Sequence, residues 1–122
     1  MAPERKLYQK LKKNTPSILW NRIENLSGLG TPDVLGYNDS SRFFTVELKV
    51  AKGNKVRFSP HQISFHIQHP KNTFILVEAL GQRSLKLFPG SMIRGLSSEG
   101  HNYSWPLADS WSEIQKIFNE II

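Results

Sequence analysis

Apolar side chains recur at helical spacing in three segments of the chain. In the first segment, Leu7 and Leu11 lie one turn apart and lysines occupy the other faces. The other two segments open with the N-cap residues Ser59 and Ser110, and Glu113 completes a capping-box pattern with Ser110. The pattern therefore predicts helices at Pro3–Asn14, from Pro60 to about His69, and from Ser110 through Ile121.

Five shorter segments are rich in β-branched and aromatic residues and are bounded by turn signals, as strands are. The clearest is Phe43–Val50, which follows the turn Asn38-Asp39-Ser40-Ser41 and closes a hairpin with the segment before it. Gly90–Pro106 has no clear pattern and is expected to be a loop with one short helix. Strands are predicted at Ser17–Asn25, Asp33–Tyr37, Phe43–Val50, Thr73–Leu80 and Ser84–Phe88.

The length and composition are those of one globular α/β domain over residues 1–122. The chain has no cysteine, which excludes disulfides and thiolate zinc sites. No segment approaches the roughly 20 apolar residues of a membrane-spanning helix, and the charged N-terminus has no apolar stretch behind it, as a secretory signal would. A cytoplasmic location is therefore expected.

The positive charge of the chain is concentrated in its first half. Residues 1–60 contain eleven Lys/Arg and five Asp/Glu, a difference of +6, whereas residues 61–122 contain five of each. A surplus of this kind can be a solvated basic surface. It is equally typical of a protein that binds a polyanion such as nucleic acid.

The segment with the surplus also contains a split acidic pair, Asp33 and Glu47, with Lys49 two residues after Glu47. Because strand side chains alternate between faces, Glu47 and Lys49 point to one side while their strand neighbours point into a core. The hairpin would place Asp33 on the strand beside Glu47. Two carboxylates and one ammonium would then share a polar site next to the core.

Such a site can hold a hard divalent cation and a negatively charged substrate together. The backbone carbonyl of Leu48 is a further candidate oxygen ligand. The pattern Glu-x-Lys alone also fits a solvent-facing ion pair, with Asp33 as a turn residue after Pro32. A glycine loop, residues 27–32, comes directly before Asp33. The combination of this glycine loop, Pro-Asp and the hairpin favours the first interpretation, which is that of a metal-dependent nuclease.

Four motifs together resemble one nuclease family, and the resemblance spans residues 4 to 77. They are Arg22-Ile23-Glu24-Asn25, Gly30-Thr31-Pro32-Asp33, Glu47-Leu48-Lys49 and Ser59-Pro60-His61-Gln62. The chain resembles the VRR-NUC branch of the PD-(D/E)xK nucleases, which includes small phage proteins and is related to Holliday junction resolvases. The resemblance implies a restriction-endonuclease-like α/β core, a mixed central sheet flanked by helices in the order αβββαβ. It also implies cleavage of DNA that depends on Mg²⁺ or Mn²⁺ and is often selective for DNA structure.

The same resemblance implies roles for individual residues. Asp33 and Glu47 would bind the metal, and Lys49 would be the catalytic lysine. Gln62 matches a glutamine that faces the active site, although Ser59-x-x-Gln62 is also a capping box that needs no catalysis. Two glutamates compete as an accessory acid: Glu24, which the VRR-NUC resemblance favours, and Glu4, which fits the position of an acid in the first helix of related resolvases.

Basic residues on either side of this motif could bind the DNA backbone without reading sequence. They are Lys52, Lys55 and Arg57 in a loop after the catalytic strand, and Lys10 and Lys13 in the first helix. The chain has no base-reading motif, so specificity for a DNA shape is favoured over specificity for a sequence. The resemblance to junction resolvases implies branched DNA as the substrate and a homodimer as the form that cuts it. The alternatives are a non-catalytic nucleic-acid-binding module with a nuclease fold and a restriction-type enzyme with sequence specificity.

Overall fold

The structure, a computed structural model, describes residues 3–23, 30–103 and 105–122. The helices are α1 (Pro3–Asn14), α2 (Pro60–Gln68), α3 (Ile93–Glu99) and α4 (Trp111–Asn119). The strands are β1 (Leu19–Arg22), β2 (Val34–Tyr37), β3 (Phe43–Ala51), β4 (Thr73–Ala79) and β5 (Ser84–Pro89). Among the described residues, no helix is both long and apolar enough to cross a bilayer.

The five strands form one sheet in the order β1-β2-β3-β4-β5. Strands β3 and β4 are parallel, and the other three neighbouring pairs are antiparallel. The parallel pair needs a crossover connection, and α2 provides it. The predicted mixed sheet with flanking helices is therefore confirmed.

One face of the sheet carries the larger core, which α1 and α4 cover. Leu7 and Leu11 of α1 and Phe118 of α4 are fully buried there. Phe44 of β3 stacks on Phe118 with ring centroids 4.6 Å apart, and Trp20 meets Phe44 edge-on at 5.4 Å. The apolar stripe of α4 thus packs on its own sheet.

The opposite face carries a smaller core beneath α2 and α3. Ile75 and Val77 of β4 pack there with Ile93 and Leu96 of α3. In the parallel register Glu47 pairs with Ile75 and Lys49 pairs with Val77. Glu47 and Lys49 therefore lie on the face with this second core, whereas Val46, Leu48 and Val50 belong to the first.

Most predicted elements agree with the structure to within two residues at each end, and two segments differ more. β1 (Leu19–Arg22) is shorter than the predicted Ser17–Asn25, of which residues 24 and 25 lie outside the described part of the chain. The expectation of a loop with one short helix at Gly90–Pro106 understated its helical content. This segment holds α3 between two 3₁₀ turns, Gly90–Met92 and Gly100–Asn102. Its helices are short and lack side-chain caps, so packing of Ile93 and Leu96 stabilises them more than local propensity does.

Candidate active site

The hairpin of β2 and β3 brings Asp33 to the strand that carries Glu47 and Lys49. Val34 pairs with Val46, so the same register continued by one residue places Asp33 opposite Glu47. Oδ2 of Asp33 accepts a hydrogen bond from the backbone amide of Leu48 at 2.7 Å. This bond fixes the Asp33 carboxylate immediately before the start of β2, beside the middle of β3.

Glu47 is a buried carboxyl group, with 2% of its surface exposed. Oε2 of Glu47 accepts a hydrogen bond from Nε2 of Gln62 at 3.3 Å, and Oε1 is buried without a partner among the described residues. Burial raises the pKa of Glu47 to about 9. A side-chain hydrogen bond between Glu47 and Asp33 and the negative charge of Asp33 also raise this pKa, while the positive charge of Lys49 lowers it. The alternative of a solvent-facing Glu47 is wrong, because α2 and α3 cover this face of the sheet.

Gln62 joins the helix to the strand. Its Oε1 accepts hydrogen bonds from Nζ of Lys49 at 3.0 Å and from the backbone amide of Ser59 at 2.9 Å. The Ser59 hydroxyl in turn accepts from the backbone amide of Gln62, which completes the capping box. The two interpretations of Gln62 are therefore compatible: the cap holds the amide in the orientation that bridges Lys49 and Glu47.

The end of the glycine loop packs directly on the first turn of α2. Gly30 has φ 81°, where residues with a Cβ are strained. A Cβ at this position would overlap the backbone of His61 and approach the backbone nitrogen of Gln62. Glycine at position 30 therefore allows the loop before Asp33 to reach the helix that carries Gln62.

Lys49 faces a hollow of about 560 Å³. The basic loop, residues 52–57, lines most of it, including its three cations Lys52, Lys55 and Arg57. Glu4 of α1 also lines the hollow, and its negative charge contributes to the raised pKa of Glu47. The structure therefore brings Glu4 to the site, whereas Glu24 lies outside the described residues.

Asn54 anchors the basic loop, a role that the sequence did not suggest. Its side chain donates to the carbonyl of Glu99 at 2.8 Å and accepts from the amide of Asn102 at 2.7 Å. The backbone carbonyl of Asn54 accepts a hydrogen bond from the backbone amide of His101 at 2.6 Å. Gly100, with φ 78°, has no room for a Cβ because Asn54 lies against it. These partners are more than 40 residues apart in the chain, so no local sequence signal links them.

We expect Asn54→Ala to loosen the basic loop without unfolding the protein. The change removes two hydrogen bonds worth about 1 kcal/mol each, so local opening should become roughly tenfold or more frequent. Limited trypsin digestion checks this, because Lys52, Lys55 and Arg57 are cleavage sites within the loop. Gln9→Ala, at an exposed position of α1, is the matched control. Equal digestion rates for the two variants would contradict the anchoring role.

The donor set suits a cation that needs few protein ligands. Among the described residues no group of three or more His, Cys, Asp and Glu side chains converges. Asp33 and Glu47 offer oxygen atoms, and the partnerless Oε1 of Glu47 is a buried acceptor that requires a positive partner when ionised. Magnesium and manganese bind to one or two carboxylates in this way and keep other positions for water and substrate.

The comparisons with known proteins concern the fold. No family model matches the sequence, and no curated protein sequence matches it. Among solved structures, the chain is similar to Hjc, a Holliday junction resolvase from the archaeal hyperthermophile Archaeoglobus fulgidus. The TM-score is 0.54 with 18% sequence identity, over 73% of this chain and 75% of that chain. The chain therefore has the mixed α/β fold of that resolvase.

Proposed function

We propose that residues 1–122 form one nuclease domain of the VRR-NUC branch of the PD-(D/E)xK superfamily, and that it is a divalent-metal-dependent DNA endonuclease. The observation that carries the proposal is the convergence of four side chains from three elements. Asp33 lies at the start of β2, Glu47 and Lys49 lie on β3, and Gln62 of α2 joins Lys49 to Glu47. These are the residues that the motifs single out.

Asp33 and Glu47 would hold Mg²⁺ or Mn²⁺. The Leu48 amide points to Asp33, and a strand residue directs its amide and carbonyl to the same neighbour, which supports the Leu48 carbonyl as a third ligand. When bound, the metal supplies Lewis acidity at the phosphate and lowers the pKa of a water molecule. Glu24 and Glu4 are candidates for an accessory acid, and the position of Glu4 beside Lys49 supports a role for it.

Lys49 would stabilise negative charge on the phosphate and orient the attacking water. Its ammonium group lies 5.0 Å from the ring centroid of Phe58 and donates one hydrogen bond to Gln62. These contacts hold Nζ in place and leave two N–H groups to donate to substrate oxygens. A preorganised donor of this kind acts at the point where charge develops in the transition state.

Branched DNA is the substrate class that we propose, with Holliday junctions or flaps as the leading forms. The basic loop beside Lys49 would contact phosphates without selecting a sequence. A homodimer would present two sites to a two-fold symmetric junction.

A cleavage panel tests the proposed function. Linear duplex, flap, splayed and four-way junction DNAs are incubated with the purified protein and Mg²⁺, Mn²⁺ or EDTA. We expect cleavage of junction or flap DNA with either metal, weak or no cleavage of the linear duplex, and none in EDTA. Sedimentation of the same preparation should show a dimer.

The other outcomes of this panel identify the alternatives. Binding of branched DNA without cleavage across the metal series would contradict the proposal and indicate a non-catalytic binding module. Cleavage of linear duplex at one fixed sequence would indicate a restriction-type enzyme.

A further inference from the structure

The exposed side of α1 borders three hollows, and Lys49 lines the first of them. Glu4 borders the first hollow, and Lys6 borders the second, of about 130 Å³. Lys10 borders the second and the third, and Lys13 borders the third, of about 580 Å³. Positions 6, 10 and 13 are spaced by four and three residues, so these lysines lie on one face of the helix. The second and third hollows share Lys10, Glu78 and Leu80, so they form one track along α1. Pro3 lines the second hollow and its neighbour Glu4 lines the first, so the track begins at the end of the helix that borders the hollow of Lys49.

The turn between β4 and β5 forms the opposite wall of this track. The amides of Leu80 and Gly81 donate to the carbonyls of Ala51 and Lys52 at 2.8 and 3.2 Å, which fastens the turn to the start of the basic loop. Arg83 follows in this turn and lines the third hollow. Its φ of 50° is a conformation in which glycine or asparagine is usual, so the turn itself does not explain an arginine there.

The second and third hollows are strongly positive. Four cations line them, and the one carboxylate among their lining residues is Glu78, so the net charge is 4 − 1 = +3. Nζ of Lys10 lies 2.6 Å from Oε2 of Glu78. The Glu78 side chain is 16% exposed and that of Lys10 is 49% exposed, so the cation covers the carboxylate. An approaching anion would therefore meet Lys6, Lys10, Lys13 and Arg83.

We infer that this surface, the α1 groove formed by Lys6, Lys10, Lys13 and Arg83, binds the phosphate backbone of the DNA arm that leaves the active site. The seven-residue rise from Lys6 to Lys13 is about 10 Å, and duplex DNA has one phosphate per strand every ~3.4 Å along its axis. The groove therefore spans about three phosphates of one strand. The identification of the bound polyanion as DNA rests on the proposed function. The charge and continuity of the groove are observed independently of that function.

Salt-dependent binding of a labelled four-way junction tests the inference, in Ca²⁺ buffer so that no cleavage is required. The variant is Lys13→Glu/Arg83→Glu, and the matched control is Lys71→Glu/Arg94→Glu, which changes the charge equally at exposed positions away from the groove. We expect the variant to bind at least about tenfold more weakly at 0.1 M salt and to flatten the slope of log K against log salt by about two. The control should retain the wild-type slope.

A second measurement locates the contact on the DNA. Neutral methylphosphonates replace three consecutive phosphates, one block at a time along an arm. One block should weaken binding by the wild type and leave binding by the groove variant unchanged. If circular dichroism shows that the glutamate variant is unfolded, Lys13→Ala/Arg83→Ala takes its place, with the same expected direction.

The results separate the groove from the nuclease activity. An unchanged salt slope in the folded variant, or equal weakening in the control, overturns the groove even if the wild type cleaves DNA. A flattened slope with one sensitive block supports the groove even if the wild type cleaves nothing.

Discussion

Replacing Glu47 by glutamine is expected to abolish DNA cleavage while the fold remains intact. Removal of a single preorganised group commonly costs 10²–10³-fold in turnover, and loss of a metal ligand should cost at least ~10³-fold. Glutamine has nearly the same shape and can still contact Gln62, so the packing beneath α2 is preserved. Asp33→Asn should show a similar loss. Cleavage rates of the purified variants on the preferred branched substrate measure the effect.

The control for this prediction is Glu99→Gln, which removes one exposed carboxylate from α3. It should cleave at the wild-type rate. Cleavage by Glu47→Gln within a few-fold of wild type would show that Glu47 does not bind the catalytic metal.

Glu47→Gln is also expected to change how the stability of the metal-free protein depends on pH. The Glu47 carboxyl retains its proton up to about pH 9 in the folded state, against an ordinary pKa of 4.5. Between these values the folded state binds more protons than the unfolded state, so stability decreases as the pH rises. Thermal unfolding in EDTA should show this decrease in the wild type and a smaller one in Glu47→Gln. Mg²⁺ binds the ionised carboxylate, so its addition should stabilise the wild type most at high pH.

Replacing Phe44 by alanine is expected to destabilise the protein by about 3–5 kcal/mol, the usual cost of deleting a buried aromatic ring. Phe44 is 1% exposed and contacts the rings of Trp20, Phe74 and Phe118. Its ring also covers Gly36 on the neighbouring strand, where a Cβ would overlap it. Since small domains are stable by only about 5–15 kcal/mol, much of the variant should be unfolded under mild denaturing conditions. Urea unfolding at 25 °C measures the difference.

Phe43→Ala is the matched control, because it is the same change one position earlier on β3. Phe43 points to the other face and is 59% exposed, although its ring lies 4.6 Å from that of Tyr37. We expect a cost below about 1 kcal/mol. Equal costs for the two variants would contradict the assignment of the larger core to the Phe44 face.

Most secondary structure could be predicted from the sequence because local rules determine it. Leu7 and Leu11 mark a helix by their spacing, and Ser59 and Pro60 mark where the next one begins. Strand alternation and a single turn are enough to place Asp33 beside Glu47. For the segment after β5, one short helix could be predicted but not the full helical content, because α3 has weak local signals and is stabilised by contacts of Ile93 and Leu96 with the sheet.

The candidate site depends both on local sequence patterns and on tertiary packing. By itself, the sequence determined that Asp33, Glu47 and Lys49 lie together, since adjacent strands of one hairpin have a fixed register. Tertiary structure alone decided that Glu47 is buried, because burial depends on α2 and α3 crossing that face of the sheet. It also decided that Gln62 bridges Lys49 and Glu47 and that Asn54 anchors the basic loop. Such contacts depend on how separate elements pack, which no local pattern encodes.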